Sequence, residues 1–250
     1  MNRSFFVFLL LLPLFTSSAQ QTVSDLDFLL GKYDYRTASN FVKVDKNYAA
    51  KSIYLNEVVY AAFKEMHLQA KQEGVELKIV SGTRNFNEQK AIWERKWRAL
   101  DNMVSLAKVN LILEYSSMPA TSRHHWGTDI DINNLENSYF EEGRGRAEYE
   151  WLVKNAPKFG FYQVYTAQDS GRTGYREEKW HWSYMPLAAK YLQNFNELVD
   201  YCEITGFEGS ELAEEAGMIP NYVNGIHREL HSPLPLSILP KGIVYLQDEE

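Results

Sequence analysis

Cysteine is almost missing: Cys202 is the only one in 250 residues. A lone thiol closes no internal disulfide, so stability has to come from the core and from any metal the chain holds. With only Tyr201 and Glu203 beside it, Cys202 reads as a half-buried small hydrophobe rather than a nucleophile. An excess of basic charge is also lacking. Lys and Arg total 26 against 33 Asp and Glu, a formal net charge of −7, which argues against a nucleic-acid binder with its basic face. There is no internal repeat and no low-complexity tract. The one marked apolar run, Phe5 to Phe15, is too short to cross a bilayer comfortably.

That run follows Arg3 and precedes small residues through Ala19. Basic, apolar and small segments in this order are those of a secretory signal, with cleavage expected after Ala19 and no stable membrane anchor afterwards. The expected address is therefore periplasmic or extracellular. The rest is rich in core formers, with 45% hydrophobic and 14% aromatic residues, ample for a packed domain. Residues 20–50 read as an N-terminal arm, 51–200 as the main domain and 201–250 as a helical extension with a Pro-broken tail.

Within the main domain, residues 55–74 place Leu55, Val58, Val59, Ala62, Phe63 and Met66 at helical spacing. A strand, VELKIVSG, follows, and then a helix over 85–100 with Asn85 as its N-cap. GTDIDIN alternates, so Asp129 and Asp131 share one strand face and Ile130 and Ile132 the other. Residues 146–158 read as a helix, GFYQVY as a strand, and Leu187 to about Val199 and 210–226 as helical. EKWHWSY, residues 178–184, alternates again, which in an ideal strand puts Glu178 and His181 on opposite faces. A bulge or turn at Lys179–Trp180 is needed if both serve one site. The fold class expected is α+β, a small antiparallel sheet flanked by helices.

Only six residues are His, and two of them fall in SRHHWGTDIDIN beside two carboxylates. A Zn²⁺ hydrolase needs three protein ligands, an open position, and a carboxylate beside the attacking water. His124, Asp131 and His181 offer N, O and N donors, and Glu178 precedes the last by three residues. His125, adjacent to His124, does not aim at the same point. Trp126, Trp180 and Trp182 suit core or cleft walls. His67, His227 and His231 read as surface or boundary residues.

SRHHWGTDID resembles the S-x-H-x-x-G-x-A-x-D motif of the VanY-like zinc D-alanyl-D-alanine carboxypeptidases, and EKWH resembles their E-x-W-H motif. SGTRNFNEQ, residues 81–89, is similar to the family's S-G-x-R stretch ending in Gln. The three occur in family order over roughly residues 50–190. The resemblance implies a hedgehog/D-Ala-D-Ala peptidase-like fold whose sheet carries the zinc site. It implies one Zn²⁺ on His124, Asp131 and His181, with Glu178 as general base. Arg84 would face the scissile carbonyl or the terminal carboxylate, with Gln89 and Ser122 helping to hold the latter. The substrate implied is a peptidoglycan stem peptide losing its terminal D-Ala; the alternatives are L,D-carboxypeptidase or endopeptidase cleavage at the same site, or a non-catalytic zinc-stabilised module. Asp129 stands where the family has a small residue, and a role in fixing a ligand His is expected for it.

Overall fold

The structure, a computed structural model, describes residues 24–231. The expected signal segment and the tail beyond His231 lie outside the described residues. The arm begins with a short helix α1 (Asp25–Leu29), capped by the Ser24 side chain. Two short strands, β1 (Phe41–Lys43) and β2 (Tyr54–Asn56), pair antiparallel. Asn56 then caps α2 (Glu57–Gln72), whose Val59, Ala62, Phe63 and Met66 are buried as their spacing predicts.

The expected long strand is trimmed to β3 (Ile79–Ser81). Asn85 caps α3 (Phe86–Ala99) in a reciprocal capping box with Glu88. Helix α4 (Ser105–Ile112), which the sequence pattern did not single out, follows. A 3-10 turn at Arg123–Trp126 leads into β4 (Asp129–Ile132). Helix α5 (Gly143–Asn155), β5 (Phe161–Gln163), β6 (His181–Tyr184) and α6 (Met185–Leu198) complete the main elements.

Strands β3, β4, β6 and β5 form one sheet in that order, every neighbour antiparallel. One face is apolar: Ile130, Ile132, Trp182 and Tyr184 pack with Phe63, Val59 and Leu152 from the helices α2 and α5. The opposite face carries polar side chains and becomes the site. A second core gathers Trp93, Val109, Trp126 and Phe195 around α3, α4 and α6.

Residues 201–231 belong to this second core, to which Ile204, Phe207, Met218, Val223 and Ile226 contribute. The single helix expected over 210–226 is replaced by a 3-10 turn at Ser210–Leu212 and a π turn at Met218–Val223. Gly217, at positive φ, breaks the helical path there, and Gly209, also at positive φ, sets the turn that precedes it. Cys202 is exposed rather than half-buried, because its short 3-10 turn turns it outward. Among the described residues no helix is long and apolar enough to cross a membrane.

Candidate metal centre and cleft

Strand register assembles the site. In the β4–β6 pairing Asp131 stands opposite His181, and Asp129 opposite Ser183; in the β3–β4 pairing Ser81 stands opposite Asp131. Asp129 and Asp131, two apart on β4, therefore point to the same polar face. His124 arrives from the preceding 3-10 turn, which closes at Gly127 with φ +70°. A Cβ at Gly127 would sit 2.3 Å from the Phe41 ring, so only glycine lets the chain turn there.

One donor atom from each of His124, Asp131 and His181 lies within 4.8 Å of the others, and all three residues are buried. His124 Nε2 is 3.5 Å from Asp131 Oδ2, and His181 Nδ1 is 3.0 Å from Asp131 Oδ1. The outward ring nitrogens are both engaged. His124 Nδ1 donates to the Gly82 carbonyl at 2.8 Å, and His181 Nε2 donates to Asp129 Oδ1 at 3.0 Å. Each imidazole thus directs its second nitrogen to the shared point, the arrangement a bound cation requires.

Asp129 is held in turn. Arg123 Nε reaches its Oδ1 at 3.0 Å, Thr128 Oγ1 donates to its Oδ2 at 2.6 Å, and Arg123 Nη2 donates to Ser183 at 2.7 Å. Burial opposes charge on Asp129, yet Arg123 and His181 hold it well below the usual carboxylate range. Burial likewise opposes charge on Asp131, and His124 and His181 outweigh it. Burial also disfavours a cationic His181, but Asp129 and Asp131 raise it to about 9. The pocket therefore favours positive charge at that point, and this donor set fits a divalent metal such as zinc.

Glu178 reaches the cluster through the turn that the alternation required. Lys179 and Trp180 lie in a turn, closed by the His181 amide donating to the Glu178 carbonyl at 3.3 Å, and β6 starts only at His181. Glu178 Oε2 then stands 3.7 Å from His181 Nδ1. Burial pushes Glu178 up to about 8, with His181 and Arg84 pulling the other way.

Arg84 lines the same cleft. Its Nη1 donates to Ser81 Oγ at 2.7 Å, and its Nε donates to Gln89 Oε1 at 3.0 Å. Gln89 also donates to the Ser117 carbonyl at 2.8 Å, so in the structure it braces Arg84 rather than standing free for a carboxylate. Ser122 is buried at the cleft wall, its hydroxyl without a hydrogen-bond partner among the described residues. His125 turns away: its ring packs under Gly31 and its Nδ1 donates to the Arg84 carbonyl at 2.7 Å. Trp126 and Trp182 are core, and Trp180 forms cleft wall beside Tyr115, ring centroids 6.2 Å apart. The cleft measures about 620 Å³. Among the contributors that the sequence did not single out are Arg123, Tyr165, Arg95 and Lys96. Tyr165 lies against His181 at 4.7 Å between ring centroids. The last two sit on α3, where the helical step from Gln89 to Lys96 was legible.

Three buried donor residues, a buried carboxyl and an arginine in one cleft are the groups a metal-dependent hydrolase needs. The profile of the VanY family, described as D-alanyl-D-alanine carboxypeptidase, matches residues 52–187, and the chain belongs to this family. It is 35% identical over 144 residues to the Bacillus subtilis protein YodJ, covering 56% of this chain and 50% of that one. It is 29% identical over 123 residues to the D-alanyl-D-alanine carboxypeptidase of Enterococcus faecalis, covering 48% and 44%. The chain thus spans about half the length of the curated relatives it matches. Among solved structures it is similar to the LdcB LD-carboxypeptidase, with TM-score 0.50, 28% identity, and 68% and 77% of the two chains covered.

Proposed function

We propose that this protein is a zinc-dependent D-alanyl-D-alanine carboxypeptidase that removes the terminal D-Ala from peptidoglycan stem peptides, acting outside the cytoplasm. The observation that carries the reading is the convergence of His124, Asp131 and His181, with Glu178 3.7 Å from His181, in a cleft that also presents Arg84. His124 Nε2, Asp131 and His181 Nδ1 would hold one Zn²⁺. When bound, that ion supplies Lewis acidity for the scissile carbonyl and the attacking water.

The chain's own groups supply the rest. Glu178 takes the proton of the attacking water and passes it to the leaving amine; burial helps it hold that proton, and a cation bound beside it would favour the ionised form that takes it. Arg84, aimed by Ser81 and Gln89, stabilises the developing oxyanion or pairs with the terminal carboxylate through its planar guanidinium. Ser122 offers its hydroxyl to the same carboxylate.

A second reading, L,D-carboxypeptidase or endopeptidase cleavage by the same atoms, is favoured by the likeness to LdcB. The deciding experiment incubates purified protein, with and without chelator, with a stem pentapeptide ending in D-Ala-D-Ala, followed by mass spectrometry. Chelator-sensitive loss of one terminal D-Ala supports the first reading. Cleavage only of a tetrapeptide, or within a cross-link, moves the assignment to the second. A protein that binds one equivalent of zinc and cleaves none of these is a binding module.

A further inference from the structure

Helix α3 carries cations on two faces, and the helix treats them differently. Lys90 and Arg98 flank Glu94, at 3.6 and 3.9 Å, one turn away on either side. Arg95 and Lys96 line the cleft, and one turn away from them the sequence offers Ala91, Ile92, Ala99 and Leu100 instead of a carboxylate. Among the described residues neither has an ion-pair partner. The ammonium of Lys96 donates to Ser116 Oγ at 2.6 Å, and Arg95 projects from an exposed position.

The cleft's own carboxylates are committed elsewhere. Asp131 lies between His124 and His181, Glu178 lies beside His181, and Glu136 is exposed and pairs with neither cation. Burial and the nearby Arg95 weaken the charge on half-buried Lys96, Glu178 works against them, and Arg84 adds to the weakening. Arg84, Arg95 and Lys96 thus line the same cleft in a protein whose net charge is −7. A pair of cations like this, one of them half-buried and neither with an ion-pair partner among the described residues, is relieved by a carboxylate guest.

Position gives that guest an address. Gln89, which braces Arg84, and Lys96 are seven residues apart on α3, or about 10 Å along the helix axis. That is the span of about three extended peptide residues. We infer that Arg95 and Lys96 form a second anionic subsite, binding a side-chain carboxylate two or three residues before the C-terminus of the substrate peptide. The substrate class becomes a peptide with two carboxylates, one at its end and one on its acyl half. This rests on the peptidase reading above.

The test compares acetyl-X-D-Ala-D-Ala peptides in which X is diaminopimelate with its side-chain carboxylate either free or amidated. Binding is measured by calorimetry on the full-length, zinc-loaded Glu178→Ala variant, and hydrolysis on the wild type. The free acid is expected to bind about tenfold or more tightly than the amide, a charge-assisted contact's worth of discrimination. Adding Arg95→Gln and Lys96→Gln brings that preference down to within about twofold, while Lys96→Arg retains most of it. Melting temperature and zinc content of each variant establish that it is folded.

Equal binding of acid and amide overturns the subsite, as does a preference that survives in the doubly neutralised variant. Binding of neither peptide overturns it together with the peptidase reading. Discriminating binding without hydrolysis by the wild type retains the subsite and removes the carboxypeptidase assignment.

Discussion

The imidazole of His181 is gripped from both sides by carboxylates on one strand: Nε2 lies 3.0 Å from Asp129 Oδ1 and Nδ1 lies 3.0 Å from Asp131 Oδ1. The first contact fixes the tautomer and ring plane, so that the second nitrogen is presented to the shared point. Asp129 is itself anchored by Arg123, and both are almost wholly buried.

Replacing Asp129 tests that support directly. Asp129→Ala is expected to weaken zinc affinity by about 10- to 100-fold, read by competition with a chromogenic chelator. It also strands the Arg123 guanidinium, a loss of about 3–5 kcal/mol that lowers Tm. Asp129→Asn, which keeps an acceptor for His181, should fall between Ala and wild type in zinc affinity. Wild-type affinity in the Ala variant would remove the role.

Zinc itself should stabilise the fold. At free metal about 100-fold above Kd the gain is about 2.7 kcal/mol, which for a chain of this size corresponds to a rise in Tm of roughly 5–10 °C. A thermal melt unaffected by zinc or by chelator would count against a metal at His124, Asp131 and His181.

Glu178→Ala should retain zinc and lose at least about two decades of turnover on the D-Ala-D-Ala peptide. Inductively coupled plasma analysis reports the metal, and release of D-Ala reports the rate. Full activity in the variant would assign the proton transfers elsewhere.

Arg84→Lys keeps the charge and loses the planar fork held by Ser81 and Gln89. A fall of about a hundredfold in kcat is expected, with zinc content unchanged. Gln89→Ala, which frees the same guanidinium, should give a smaller loss in the same direction. If Arg84→Lys turns over like the wild type, the guanidinium is not at the reacting carbonyl.

Gly31→Ala probes the arm. Gly31 has φ +71°, and an added Cβ would lie 2.4 Å from the ring of His125. Strain and the clash together should cost about 1–3 kcal/mol, seen as a lower Tm. A variant as stable as the wild type would mean the arm yields without disturbing His125.

The local chemistry was legible from residue order. The two-residue period of Asp129 and Asp131, the Asn85 cap, the apolar stripe of α2 and the need for a turn between Glu178 and His181 all follow from short-range geometry. The helix expected over 210–226 failed for a reason of the same range, because apolar spacing does not register the backbone break that Gly217 imposes.

Residue types and their spacing were enough to nominate His124, Asp131, His181, Glu178 and Arg84, since ligand chemistry is a property of side chains. Which side chains became partners was decided only by strand register, the turn before β4 and helix packing. Those contacts set Asp131 opposite His181, brought Arg123 under Asp129, turned Gln89 from an expected substrate contact into a brace for Arg84, and left Arg95 and Lys96 facing the cleft without an ion-pair partner among the described residues. Covalent order sets what each residue can do, whereas burial and pairing across the sheet set what it has left to do it with.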